Sequence, residues 1–75
     1  MRQPTHTIEQ LGKAIRKQRK TEGVTQQELS NLCGLSTSFI SDVERGKATV
    51  ELGKVLFLMQ YLGLDIYVVE RGTRL

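Results

Sequence analysis

Residues 23–47 read GVTQQELSNLCGLSTSFISDVERGK, and this spacing encodes two short helices bent around Gly34-Leu35-Ser36. Thr25 and Glu28 stand three apart as a capping box, in which each side chain accepts the other residue's backbone N–H. Val24 and Leu29 are spaced as a hydrophobic staple, and Leu32 and Cys33 carry the apolar stripe to the Gly34 stop. Ser36 caps the second helix, predicted to run about nine residues, with Ile40 and Val43 inward and Gly46 as its left-handed end. So few connecting residues leave only a sharp corner, which projects the start of the second helix outward.

Working outward, Thr7 and Gln10 form another capping box, and Ile8, Leu11 and Ile15 repeat at helical spacing up to Glu22-Gly23. Downstream, a last helix is predicted to start at Thr49 and stop at Gly63. Its apolar face is Leu52, Val55, Leu56, Met59 and Leu62, widened by Phe57, Leu58 and Tyr61. Leu64 to Glu70 reads Leu-Asp-Ile-Tyr-Val-Val-Glu, β-branched and partly alternating, so it is expected to be a strand. A lone strand leaves its backbone groups unpaired, and the nearest second strand is the same segment of another copy. The expected dimer surface is Leu64, Ile66, Tyr67, Val68 and Val69 against Leu58, Tyr61 and Leu62, with Ile66 and Val68 covering the helix. The alternative is a fifth helix or an ordered tail packed on the last helix. The chain thus divides into a flexible arm over 1–6, a helical domain over 7–63, a dimerisation strand over 64–70 and a flexible tail over 71–75.

Composition bounds what such a domain does. Seventy-five residues make one small core, which gains from oligomerisation. The formal charge of +3 is uneven. Six basic and two acidic groups fall in residues 1–23, two and three in 24–47, and three and three in 48–75. The single cysteine, Cys33, has no disulfide or zinc companions and fits a reducing cytoplasm. No apolar run reaches the roughly 18 residues of a membrane span, and the polar start is not a signal peptide. Neither His6, nor Cys33 on its apolar face, nor Asp42 with Glu44 forms a catalytic or metal-binding constellation. No enzyme activity, cofactor or metal is expected.

The projected corner suits DNA. A major groove about 12 Å wide admits one α-helix, whose first residues lie nearest the base edges. Here those are Ser36, Thr37 and Ser38, with Ser41 one turn on. Hydroxylated residues are poor helix formers, so their density points to contact rather than packing. None of them makes the bidentate base contacts that contribute about 1–3 kcal/mol each, so moderate discrimination is expected, from thymine methyl contacts, water and DNA shape. Arg19 and Glu44 fall on inward stripes, four residues beyond Ile15 and Ile40, and are predicted to pair because an inward charge needs a partner. Lys13, Arg16, Lys17 and Lys20 read as a solvated face, with Arg16 and Lys17 adding long-range attraction for DNA.

The run Gly23 to Ser30, then Gly34-Leu35-Ser36, then Ile40 to Lys47 resembles the Xre and Cro/cI type of helix-turn-helix. The resemblance implies a mainly α, four-helix, lambda-repressor-like fold that binds palindromic operator DNA as a homodimer. It implies Gln26, with Gln27 beside it, on a DNA phosphate. Thr37, Ser38 and Ser41 then fall at base-reading positions, and Arg45 and Lys47 at backbone-holding ones. It also implies the Arg19–Glu44 pair as a scaffold for the reading helix. Ser30 departs from the small Ala usual at the helix crossing, and Thr37 and Ser38 replace longer readers. The last helix followed by Leu-Gly-Leu-Asp-Ile-Tyr-Val-Val-Glu is similar to HipB-type antitoxins. That similarity implies a C-terminal dimer strand, repression of the chain's own operon and a HipA-like kinase toxin as partner. The plainer alternative is a stand-alone Xre-family repressor.

Overall fold

A computed structural model describes residues 4–72. Four helices follow one another: α1 Ile8–Thr21, α2 Gln26–Cys33, α3 Thr37–Glu44 and α4 Leu52–Tyr61. Local chemistry starts the first three. Thr7 Oγ1 accepts the Gln10 N–H at 3.1 Å while Gln10 Oε1 accepts the backbone N–H groups of Thr7 and His6. Thr25 and Glu28 close the same reciprocal box at 3.0 Å in each direction. The backbone N–H and hydroxyl of Thr25 hold the Glu28 carboxyl below its ordinary pKa. Ser36 Oγ accepts the Phe39 N–H at 3.0 Å, and α3 runs eight residues rather than about nine.

Ile15, Leu29, Cys33, Ile40, Val43, Val55, Leu58, Met59 and Leu62 form the core, with Val24, Phe39, Val50 and Leu64 among the half-buried residues around it. Each fully buried Leu, Ile or Val contributes roughly 1.5–3 kcal/mol relative to exposure. The crossing of α1 over α3 depends on Gly12, where any Cβ would run into the Val43 carbonyl oxygen and the Glu44 backbone. Ser30 is accommodated by polarity as well as size: its hydroxyl donates to the Leu35 carbonyl at 2.6 Å. Gly34, with φ of 80°, turns the chain between α2 and α3 in a conformation that side chains disfavour.

Three sequence expectations need correction. Helix α4 begins at Leu52, with Glu51 rather than Thr49 at its N-cap position. Lys47 N–H donates to the Asp42 carbonyl and Val50 N–H to the Lys47 carbonyl, and the intervening turn places Val50 against the core. Leu32 and Leu52 are exposed, because the buried stripes pass through Leu29 and Cys33 on α2 and through Val55, Leu58, Met59 and Leu62 on and after α4. Leu58 and Leu62, expected on a dimer surface, are closed over by the chain's own core and offer almost no area to a second copy.

Residues 64–70 form no helix, so the chain does not continue as a fifth helix, and among the described residues they form no strand either. The Leu64 N–H donates to the Met59 carbonyl at 3.0 Å, which anchors the segment to the end of α4. Beyond that anchor Ile66, Tyr67, Val68 and Val69 are exposed, Val68 at 94%. The outer ends of the expected arm and tail, residues 1–3 and 73–75, lie outside the described residues.

Candidate nucleic-acid interface

Glu44 joins three helices at one carboxylate. Arg19 Nε donates to its Oε2 at 2.7 Å and Arg19 Nη2 to its Oε1 at 3.0 Å, while Arg19 Nη1 donates to the Val24 carbonyl at 2.8 Å. Both side chains are buried. The hydrogen bond to Glu44 raises the Arg19 pKa further above an already basic value, so the guanidinium stays charged. Gln26 Nε2 donates to Glu44 Oε1 at 3.1 Å, which fixes the first side chain of α2 against α3. The predicted ion pair is thus present, and it reaches Gln26 as well.

A shallow polar depression of about 250 Å³ lies over this junction, lined by Gln26, Thr37, Ser38, Ser41, Asp42 and Arg45. Five residues predicted from the sequence therefore share one surface. Ser41 Oγ accepts from Arg45 Nη1 at 2.9 Å, and Asp42 Oδ1 accepts from Arg45 Nη2 at 2.6 Å. Lys47 Nζ sits 3.6 Å from Asp42 Oδ2, so one carboxylate aims both cations along the rim. Asp42, which is not among the expected DNA-binding residues, lines the same depression. Its signal in the sequence, an acid three before Arg45 and five before Lys47, is legible only once the turn after α3 is known.

The other predicted residues lie around the depression rather than in it. Ser36 is exposed with its hydroxyl engaged as the α3 cap. Gln27 is exposed, its side-chain amide donating to Asn31 Oδ1 at 3.0 Å along α2. The first turns of α2 and α3 both open here, and their leading N–H groups lack intrahelical acceptors, which favours an anionic ligand. Among the described residues no group of His, Cys, Asp and Glu is arranged to hold a metal, and no helix is long and apolar enough to cross a membrane.

Comparison with known proteins agrees with this geometry. The Helix-turn-helix domain family matches residues 10–72. The uncharacterized HTH-type transcriptional regulator y4mF of Sinorhizobium fredii (strain NBRC 101917 / NGR234) is 39% identical over 64 residues, 85% of this chain and 84% of that protein. Among solved structures, the HipB-O4 20mer complex superposes with a TM-score of 0.84 at 26% identity, covering 93% of this chain and 99% of that one. The HipA-HipB-O2-O3 complex superposes with a TM-score of 0.85 at 26% identity over the same shares. These relatives are regulators of the same architecture and not enzymes, and the chain belongs to the helix-turn-helix family of DNA-binding transcriptional regulators.

Proposed function

We propose that this regulator is a repressor that binds a palindromic operator as a homodimer, and that it is the autoregulatory antitoxin of a HipBA-type module whose partner is a HipA-like kinase. The observation that carries the DNA reading is the joint opening of the α2 and α3 first turns onto one polar depression shared by Gln26, Thr37, Ser38, Ser41 and Arg45. In this reading α3 enters the major groove, Thr37, Ser38 and Ser41 meet base edges, and Gln26, Arg45 and Lys47 meet phosphates. Gln27 and Ser36 contribute at the margin. The Arg19–Glu44 pair sets the angle of α3 and contacts no base.

The dimer is supported by the exposed apolar side chains of Ile66, Val68 and Val69, which lie in a segment of strand composition. The toxin partner is supported by the likeness to HipB, a chain solved together with HipA. The test combines titration of the full chain against the DNA upstream of its own gene with co-expression of the neighbouring reading frame. Tight, salt-sensitive binding and a stoichiometric complex with a kinase are the expected results. Operator binding with no complex leaves the stand-alone Xre-family repressor, and absence of operator binding overturns the repressor reading.

A further inference from the structure

On the outer flank of α1, Lys13, Arg16, Lys17, Lys20 and Thr21 line a concavity of about 510 Å³. Four of the chain's eleven cations thus share one surface on a single helix. Among the described residues Lys13, Lys17 and Lys20 form no ion pair. Arg16 is the link to the rest of the molecule. Its Nε lies 4.0 Å from Glu44 Oε1, an oxygen that already accepts from Arg19 at 3.0 Å and Gln26 at 3.1 Å, so most of the Arg16 charge remains available. Gln26 lines the depression at the α3 start, so one lining residue of each concavity approaches the same carboxylate oxygen.

This placement has a geometric consequence. Packed helices lie about 8–10 Å apart, and a major groove about 12 Å wide has its phosphate walls roughly 6 Å or more from the axis of a helix within it. Arg16 and Gln26 approach the same Glu44 oxygen, so with α3 in the groove the Arg16 edge of α1 is the part of that helix nearest a wall. We propose that the Lys13, Arg16, Lys17 and Lys20 concavity is a second DNA surface, which takes the phosphate backbone just outside each half-site and carries no sequence information. The proposal rests on the operator-binding reading above.

The experiment uses duplexes from the region upstream of the chain's own gene. One is trimmed to the two half-sites by footprinting, and the other extends about ten base pairs, one helical turn, beyond each. The full chain is compared with Lys13→Gln/Lys20→Gln, which removes two charges and keeps helix propensity. The wild type is expected to bind the long duplex more tightly, with a steeper salt dependence. The variant is expected to lose that advantage, with the slope of log K against log salt becoming shallower by about 0.9 for each lysine that met a phosphate. Its binding to the trimmed duplex and its ranking of operator variants stay the same. Equal salt slopes for wild type and variant on the long duplex overturn the proposal and leave operator binding intact. So does an equal loss on both duplexes, which is the signature of a diffuse field or of a surface built for an acidic protein. Failure of the wild type to bind either duplex above the non-specific level overturns the repressor reading itself, and this surface with it.

Discussion

Arg19 of α1 grips both carboxylate oxygens of Glu44 on α3, at 2.7 and 3.0 Å. Because both groups are buried, deleting one leaves the other desolvated and unpaired. Arg19→Met is expected to cost roughly 3–5 kcal/mol, and Arg19→Met/Glu44→Leu to recover much of that loss. A denaturant double-mutant cycle reads the coupling directly, and additive losses would contradict it. Because Gln26 also bonds Glu44, the double variant is expected to fold well yet bind DNA less tightly than the wild type.

Gly12 makes a sharper test of the α1 and α3 crossing. Gly12→Ala drives a methyl into backbone that has no room to retreat, so a loss of about 1–3 kcal/mol is expected even though Ala is the better helix former. Gly53 of α4 has open space around it, and Gly53→Ala is expected to stabilise by roughly 0.4–1 kcal/mol. Thermal melts of the two variants should move in opposite directions.

What the sequence makes legible here is what is local. Thr7 with Gln10, Thr25 with Glu28, and Ser36 carry their helix starts within three residues, so spacing alone reveals them. Arg19 and Glu44 betray themselves as charges on apolar stripes. Gly12 does not, because its constraint comes from a carbonyl 31 positions away, on Val43. Thr49 looks like a cap, but the turn bonded through Asp42 and Lys47 uses up the residues before α4. The phase of α4 then decides that Leu58 faces its own core while Phe57 and Tyr61 stack edge to face outside, with ring centroids 5.2 Å apart. Residues 64–70 are the hardest to read, since whether such a segment is a strand depends on what pairs with it and not on its own residues.

Acid stability should report the second capping box. The Glu28 carboxyl is held below its ordinary value by the Thr25 N–H and hydroxyl, so its contribution is complete above the unfolded Glu pKa. It fades as pH falls through the lower, folded value. Glu28→Gln keeps an acceptor for Thr25 but does not titrate, so its stability curve should be flatter than that of the wild type across that acid window. Parallel curves would show that the box carries no proton linkage.

The proposed division of labour across the depression predicts two classes of DNA phenotype. Thr37→Ala and Ser38→Ala remove groups at the start of α3, and each should alter the ranking of operator variants by less than the roughly 1–3 kcal/mol of a bidentate contact. Gln26→Ala and Lys47→Ala should weaken all duplexes alike, the lysine change also making the salt slope shallower by about 0.9. If Thr37→Ala and Ser38→Ala leave both affinity and ranking unchanged, α3 is not read at its N-terminus.

The proposed dimerisation can be tested apart from folding because Leu64 belongs to the core periphery whereas Ile66, Val68 and Val69 are exposed. A chain ending at Asp65 keeps the Leu64 N–H bond to the Met59 carbonyl and every residue of the α3 reading head. Val68→Pro, at the most exposed of those three positions, removes a backbone donor and should break a strand ladder while leaving the core intact. Operator recognition by this motif couples two reading heads about 34 Å apart, one helical turn of DNA, so losing the second head removes half of the specific contacts. Both variants are therefore expected to remain helical by circular dichroism, to sediment as monomers, and to lose at least about 10³-fold in affinity for the palindrome, towards the non-specific level. A truncated chain that still sediments as a dimer with normal operator binding would move the interface to the exposed edge of α4, where Phe57 and Tyr61 already present a packed aromatic pair.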